Sequence, residues 1–397
     1  MDCRVIVIVV QKKKRTSHSL TLTNVRFVVL CFFSKMTTQF FLFRYCHCHC
    51  HRRLFQGNNN LTGTLASELR LLTNLQYFSV EGNGLAGTVP EEYAALTKLT
   101  YLGLHFNQFT GTFPQWIVAL SDLKALVLSD NMFEGRFPND MARLSKLDIL
   151  AVDDNLLSGP IGFINQLTTL NYLYMEDNQF TGTIDDDFLP DDRYLIHLDL
   201  SNNAINGTDF PSRFFDTRKF PLLTVLDLHG NQLQGTLPWF IPLGNSMLQF
   251  LALHDNQLSG SIQPSFIKFD ALTHLDLSSN LLTGPMPDFF HEVGKLNYLF
   301  VGNNPNMEAG PIPTTLQRVF RLKDLSLANT QRTGTIPSEL LRLQQLKRLD
   351  LSHNRLDGNL PTLLGNLDNL AFLMLHDNLL SGPIPSELDS LSQLGTY

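Results

Sequence analysis

A unit of 24 residues recurs along almost the whole chain, and this repeat constrains the fold more than any other feature of the sequence. Its clearest copy runs from Leu370 to Gly382 and has the skeleton L-x-x-L-x-L-x-x-N-x-L-x-G. Asn59 belongs to an incomplete early copy, and Thr330 takes the place of the asparagine in one later copy. The ladder asparagines, which occupy the N of the skeleton, are Asn83, Asn107, Asn131, Asn155, Asn178, Asn203, Asn231, Asn256, Asn280, Asn304, Asn354 and Asn378.

The skeleton gives each of its residues a structural role. In L-x-L the two leucines point to the same face of a short strand, and the residues between them point to the other face. The asparagine turns the chain out of the strand, and its amide can bond both to its own turn and to the next coil. One coil cannot bury its apolar side alone, whereas stacked coils can. The repeat therefore predicts a solenoid held by a ladder of asparagines.

The end of each coil carries a second signature. It reads G-T-V-P at Gly87–Pro90, G-T-F-P at Gly111–Pro114 and G-P-I-P at Gly382–Pro385. Together with the skeleton, this resembles the plant-type leucine-rich repeat of receptor-like kinase ectodomains, receptor-like proteins and polygalacturonase inhibitors. The resemblance covers residues 54–397. It implies an α/β solenoid, a right-handed leucine-rich-repeat superhelix with a concave parallel β-sheet and short 3-10 or helical turns on the convex side.

Charge and cysteine content divide the chain near residue 53. Residues 1–53 hold ten Lys or Arg, one acid and all five cysteines, whereas the remainder holds 20 basic and 36 acidic residues, a net charge of −16. We expect 1–53 to be an atypical basic leader that is disordered or mis-assigned. We expect 54–397 to be an array of 13 to 14 coils that is truncated at its C-terminus.

The leader shows no recognisable signal peptide or membrane helix. Val5–Val10 and Val25–Phe33 are apolar but much shorter than the ~18 residues of a spanning helix, and the basic cluster Lys12–Arg15 follows the first run instead of preceding it. Cys46–His51 alternates Cys and His strictly, which in an extended chain sends the two residue types to opposite faces. We therefore predict no metal site. The resemblance implies a cell-surface or secreted protein, and the missing signal keeps a cytoplasmic location open.

No motif of the repeats predicts catalysis. Gly82–Gly87 matches the G-x-G-x-x-G pattern of dinucleotide sites, but Asn83, Leu85 and Gly87 within it are positions of the repeat, and no long helix opens there. A phosphate-binding loop, a nucleophile elbow and an H-E-x-x-H pair are all missing from the sequence. We therefore predict a protein that is not an enzyme and needs no cofactor.

The outward-facing strand residues form the surface on which we expect a ligand. They include many aromatic and acidic side chains, and Arg348 is the one basic residue that we place among them. Such a surface suits a basic protein or peptide and repels nucleic acid. The aspartates of the L-D-L-S segments, Asp199, Asp276 and Asp350, are interpreted as structural. The predicted ligand-binding residues are Asp153, Asp154, Tyr172, Tyr174, Glu176, Asp177, His229, Phe250, His254, Tyr298 and Phe300.

Two classes of function remain at this point. The first is a receptor-ectodomain-like module, or a secreted enzyme inhibitor, that binds a protein or peptide on the concave face. The second is an intracellular leucine-rich-repeat scaffold. For the predicted site, the competing interpretation is a solvated acidic face without a partner. Asn60-Leu-Thr and Asn206-Gly-Thr are N-glycosylation sequons, so Asn60 and Asn206 are candidate glycosylation sites if the chain is secreted.

Overall fold

The computed structural model describes residues 52–185, 187–189, 194–208, 210–241 and 247–395, with 3–13, 22–33 and Ser212 described by their backbone alone. The chain divides into two compact units, Met1–Phe180 and Thr181–Tyr397. Each unit is a stack of coils in which short parallel strands alternate with 3-10 turns. The predicted α/β solenoid is thereby confirmed.

In the first unit, each coil contributes one strand to a parallel sheet. We call the face of this sheet that points away from the buried leucines the strand face. These strands are in register, so that Tyr77 pairs with Tyr101, and Tyr101 pairs with Ala125. The strands of this sheet are Arg53–Phe55, Tyr77–Ser79, Tyr101–Gly103, Ala125–Val127, Ile149–Ala151 and Tyr172–Tyr174. A second row of strands comprises Thr62–Gly63, Gly84–Gly87, Gln108–Thr112, Met132–Gly135 and Leu156–Pro160, and the strand Gln179–Thr183 begins in this unit and ends in the second.

The second unit repeats this arrangement. Its strand-face strands are His197–Asp199, Val225–Asp227, Phe250–Ala252, His274–Asp276, Tyr298–Phe300, Asp324–Ser326, Arg348–Asp350 and Phe372–Met374. Its shorter second strands are Ala204–Gly207, Gln232–Leu233, Ser259–Gly260, Leu281–Leu282, Thr333–Gly334 and Arg355–Leu356. The strand face is again in register, with Phe250 beside His274 and His274 beside Tyr298.

Short 3-10 turns close the coils on the side opposite the strands. Several begin directly after a proline, such as Pro90 or Pro114, whose fixed φ suits the start of a helical turn. The turns are Ser67–Leu71, Glu91–Ala95, Gln115–Ala119, Met141–Arg143, Ile161–Gln166, Ser212–Phe215, Pro264–Lys268, Phe290–Glu292, Thr314–Arg318, Leu340–Arg342, Thr362–Asn366 and Ser386–Ser390. Among the described residues, no helix is long and apolar enough to cross a membrane.

Leucines and phenylalanines fill the space between the two rows of strands. Leu102, Leu104 and Phe109 are fully buried, as are their counterparts in most other coils. The ladder asparagines lie at the edge of this core. Asn131 donates to the carbonyls of Leu104, Leu128 and Ser129 at 3.0–3.1 Å, and its Oδ1 accepts the Phe109 N–H at 2.9 Å. Each such amide therefore joins its own turn to the preceding coil.

The residue before each ladder position adopts a left-handed conformation. Its φ is 54° at Phe106, 49° at Asp154 and 53° at His353, and Gly82 has 60°. Only glycine adopts this region without strain, and Asn and Asp tolerate it better than other residues. This explains why so many of these positions hold Asp or Asn: Asp130, Asp154, Asp177, Asn202, Asp255, Asn303, Asn329 and Asp377.

The N-terminal segment contains two further strands. Cys3–Lys13 and Leu22–Phe33 pair in antiparallel fashion, within the range that we expected to be disordered or mis-assigned. The first strand of the array starts at Arg53, one residue before the predicted boundary. The division of the chain at residue 53 stays a prediction. The alternating segment Cys46–His51 lies outside the described residues.

Candidate functional site

An aromatic row begins the strand face of the first unit. The rings of Tyr77 and Tyr101 stack with their centroids 4.2 Å apart and their planes 7° apart, and Phe55 lies 6.4 Å from Tyr77. Gly103 leaves room for this stack, since a Cβ there would lie 2.7 Å from Cε1 of Tyr101. Burial, with the adjacent Tyr77, raises the pKa of Tyr101, so its hydroxyl stays neutral at physiological pH.

Three carboxylates from two neighbouring coils of the same face form the acidic group: Asp130, Asp153 and Asp154. One carboxylate oxygen of each lies within 4.8 Å of the others. Burial, followed by the charges of Asp154 and Asp153, raises the pKa of Asp130. Burial also raises the pKa of Asp153, although Asp153 accepts a hydrogen bond from the Ser129 hydroxyl, which favours its charged form. The acidic group therefore holds mutual repulsion that a bound cation would relieve.

The structure changes the interpretation of the predicted acidic residues. Asp154 and Asp177 both occupy the left-handed position before a ladder asparagine. Their residue type therefore has a conformational reason that is independent of any ligand. Asp153 and Glu176 lie at the strand-face position and have no such reason. The Tyr172 and Tyr174 rings, predicted to flank the acids, are half-buried and lie 6.5 Å apart in parallel planes.

Asp130 joins the acidic group although sequence analysis did not include it in the site. It stands 24 residues before Asp154, at the same position of the preceding coil. The 24-residue spacing is the sequence signal that could have placed Asp130 in the predicted site. Next to this group, Nε2 of His105 lies 3.8 Å from Oε2 of Glu81, so the strand face continues from the aromatic row into the acidic group with polar side chains between them.

In the second unit, His229 and His254 stack face to face, with ring centroids 4.2 Å apart and planes 7° apart. Nδ1 of His229 lies 2.7 Å from Oδ1 of Asp227, and Nδ1 of His254 lies 3.4 Å from Oδ2 of Asp276. Burial opposes protonation of His229, but the hydrogen bond to Asp227 and its charge outweigh this effect and raise the pKa of His229.

An aromatic column follows on the next strands of the second unit. The Phe250 ring stacks on His274 at 4.2 Å, and His274 in turn lies 5.4 Å from Tyr298 and 5.7 Å from Phe300. Burial lowers the pKa of His274, so this imidazole is neutral near pH 7 and packs as an aromatic ring. Phe300 and Arg348 both line a depression of about 290 Å³.

Two groups of described side chains have donor atoms close enough to hold a metal ion. One is the acidic group, and the other comprises His353, His376 and Asp377. The predicted ligand-binding residues do not include the second group.

Both predicted glycosylation sites are exposed, and Asn206 borders a groove of about 680 Å³ together with Asp185 and Phe210.

Comparison with known proteins agrees with the repeat. A family model described as leucine rich repeat matches residues 97–157, and a second with the same description matches 222–243, 271–293 and 345–367. Receptor-like protein 31 of Arabidopsis thaliana is 38% identical over 104 residues, which are 26% of this chain and 12% of that protein. Receptor-like protein 7 of the same plant is 36% identical over 141 residues, 34% of this chain and 13% of that protein.

Solved structures cover more of the chain. The structure described as PEPR1-AtPEP1 matches 87% of this chain and 51% of its own, with 27% identity and a TM-score of 0.75. The ectodomain of the Arabidopsis thaliana receptor kinase GASSHO1/SCHENGEN3, in complex with CASPARIAN STRIP INTEGRITY FACTOR 2, matches 85% of this chain and 45% of its own, with 31% identity and a TM-score of 0.65. This chain thus spans about half of each of these two solved chains and a much smaller part of the curated relatives.

Proposed function

Because the chain is a leucine-rich-repeat protein of the plant type, we propose that it is a recognition module that binds a protein or peptide ligand on its strand face. Similar solved ectodomains are described in complex with peptides, including HAESA with the peptide hormone IDA and the co-receptor SERK1. We infer a recognition role and not a catalytic one. The cell surface or the extracellular space, where receptor-like proteins act, is the location that we propose.

The observation that carries this proposal is the acidic group beside aromatic side chains in the first unit. Like charges on adjacent strands destabilise a sheet, and burial raises the pKa of both Asp130 and Asp153. A basic side chain of a partner would offset this repulsion, while the tyrosines nearby offer rigid apolar contact. The proposed ligand is therefore a basic peptide or protein segment, and we propose Asp153, Asp154, Tyr172, Tyr174, Glu176 and Asp177, with Asp130 added, as its site.

The strand face of the second unit is a further proposed contact surface. His229, His254, Phe250, Tyr298 and Phe300 present stacked rings there, and aspartates lie beside the two histidines. Aromatic rings are enriched at protein interfaces because they bury large areas with little loss of side-chain freedom. The acidic and aromatic character of both units disfavours nucleic acid as a partner, since its phosphates would be repelled.

Selection from a displayed library of random 12-residue peptides tests the proposal. The parent protein should enrich peptides rich in Lys, Arg and aromatic residues. D130N/D153N/D154N should weaken the affinity of the selected peptides roughly tenfold or more, and the parent's association rate should fall with added salt. Asparagine tolerates the left-handed positions at 130 and 154, so the variant should fold.

The matched control is E68Q/E91Q/E92Q, which removes three acids from outer 3-10 turns of the same unit. This control should bind the selected peptides as the parent does. Enrichment of acidic or neutral peptides, or equal loss of affinity in both triple variants, would show that the acidic group is a solvated face and not a binding site.

A further inference from the structure

Two histidines and an aspartate meet where the last two strand-face strands of the second unit end. His353 follows the strand Arg348–Asp350, and His376 and Asp377 follow the parallel strand Phe372–Met374. His353 and Asp377 occupy the same left-handed position of successive coils, with φ of 53° and 55°. The repeat therefore brings the three side chains together although 22 residues separate the histidines along the chain.

The backbone beneath these side chains is held by backbone hydrogen bonds between the two coils and by the asparagine ladder. The His353 N–H donates to the His376 carbonyl at 2.9 Å, and the Asn354 N–H donates to the Asp377 carbonyl at 3.1 Å. Nδ2 of Asn378 donates to the His376 carbonyl at 3.3 Å. All three side chains are exposed, so their rotamers can adjust while their Cα positions are held.

The donor atoms suit a divalent transition metal. Nδ1 of His353 lies 3.1 Å from Oδ2 of Asp377, the imidazole rings are 4.8 Å apart at 85°, and one donor of each residue lies within 4.8 Å of the others. Zinc takes imidazole and carboxylate donors at 2.0–2.2 Å, which places tetrahedral donors about 3.3 Å apart. Small rotations of exposed side chains therefore suffice to close the site.

The competing interpretation is a surface ion pair between protonated His353 and Asp377. Exposed ion pairs contribute little to stability because solvent screens them, so such a pair would not prevent a metal from binding. Other parts of the described chain are less suitable. His229 and His254 stack in parallel with Nδ1 of His229 bonded to Asp227, and the acidic group contains no imidazole.

We propose that His353, His376 and Asp377 form a binding site for a divalent transition metal, with Zn²⁺ the best match to one carboxylate and two imidazoles. The ion would tie two successive coils together through side chains and leave at least one coordination position for water or an external donor. It would also fasten the coil of Phe372–Met374, whose residues Leu373 and Leu375 are less buried than the fully buried Leu349 and Leu351 of the coil before it. The site is independent of the peptide-binding proposal.

Histidine modification by diethyl pyrocarbonate, read out by mass spectrometry on the full chain, tests this site residue by residue. Micromolar Zn²⁺ should protect His353 and His376 from modification and leave His291 unchanged, whereas Mg²⁺, which prefers oxygen ligands, should protect none of them. The site-resolved readout keeps this signal separate from any zinc held by Cys46–His51.

Variants decide whether the three residues act together. D377N should raise the zinc concentration for half-protection of both histidines roughly tenfold or more, and H353N should abolish protection of His376. Asparagine tolerates the left-handed backbone at 353 and 377, so both variants should fold, and circular dichroism verifies this. Zn²⁺ should raise the Tm of the parent and not that of H353N. Unchanged modification with zinc, or protection of His376 that persists in H353N, would overturn the proposal.

Discussion

At the scale of single residues, the ladder asparagines connect adjacent coils through hydrogen bonds at the edge of the core. Asn256 donates to the carbonyls of Leu228, Leu253 and His254 and accepts from the Leu233 N–H. These backbone groups have no water to replace the amide, because the site is buried. A buried backbone group that loses its partner costs about 1–3 kcal/mol, so each ladder position should matter strongly.

We therefore expect Asn131→Leu or Asn256→Leu to lower the free energy of unfolding by about 2–5 kcal/mol, since several backbone groups lose their partner at once. Chemical denaturation of the full chain measures the change. Asn139→Leu, at an exposed asparagine of the same unit, is the control and should stay within about 0.5 kcal/mol of the parent. A parent-like midpoint for the ladder variants would contradict the assigned role.

One coil lacks the ladder asparagine, and a different side chain donates to its backbone carbonyls. Thr330 stands at the ladder position and its hydroxyl donates only to the Leu327 carbonyl. Two residues later, where most other coils have leucine or phenylalanine, Arg332 is buried and donates to the carbonyls of Thr330, Glu308 and Pro311. Burial lowers the pKa of this guanidinium. The arginine thus supplies donors in the coil that lacks the asparagine amide.

At the scale of strands, parallel register places equivalent positions of adjacent coils directly beside each other. Asp199 pairs with Asp227 in this way. Burial, followed by the charge of Asp227, raises the pKa of Asp199 to about 6, although the Ser201 N–H and hydroxyl both donate to it. Asp276 accepts the same two bonds from Ser278 but lies next to His254. The two aspartates therefore differ in their charged neighbours and not in their local bonds.

This difference gives a prediction for stability against pH. The folded state holds the Asp199 proton more tightly than the unfolded state does, so the stability from this group is present below about pH 4 and is lost as pH rises to about 6. Asp199→Asn should then stabilise the protein by roughly 1–3 kcal/mol at pH 7 and have no effect below pH 4.

Thermal unfolding of the Asp199→Asn variant and the parent across this pH range measures the effect. Asp276→Asn is the matched control, and it should bring no gain at pH 7 because the charge that it removes faces a histidine and not another aspartate. A stabilisation by Asp199→Asn that is equal at pH 4 and pH 7 would show that charge is not its cause.

At the scale of the whole molecule, glycosylation tests the proposed location outside the cell. Asn60 and Asn206 are exposed, as the attachment of a glycan requires. Expression in a eukaryotic secretory host should therefore attach two N-glycans, of which N60Q and N206Q each remove one and enzymatic deglycosylation removes both.

Gel mobility and intact mass report the change. Asn59→Gln is the control, because this neighbouring asparagine is exposed but belongs to no sequon, and its variant should keep both glycans. A secreted protein with neither glycan would count against recognition of the sequons, and failure to enter the secretory pathway would favour the intracellular scaffold.

The repeat made the fold predictable because every coil contains the residues that determine its own conformation. The leucines, the asparagine and the Gly-x-x-Pro ending act within one coil and its two neighbours, so a local pattern determines the stack. The same pattern indicated which residues face outward, including the tyrosines Tyr172 and Tyr174. Composition then indicated an acidic, aromatic surface and with it the class of partner that we propose.

Distances between side chains of different coils depended on the tertiary structure. Only the structure shows that Asp130 approaches Asp153 and Asp154, that a left-handed backbone explains aspartate at position 154, and that His353 meets His376. The physical reason is that a repeat fixes where each Cα lies, whereas the rotamers and the register between coils decide which donor atoms meet. The sequence by itself determined the repeat fold and which residues face outward, and the tertiary structure decided which side chains of adjacent coils lie close together.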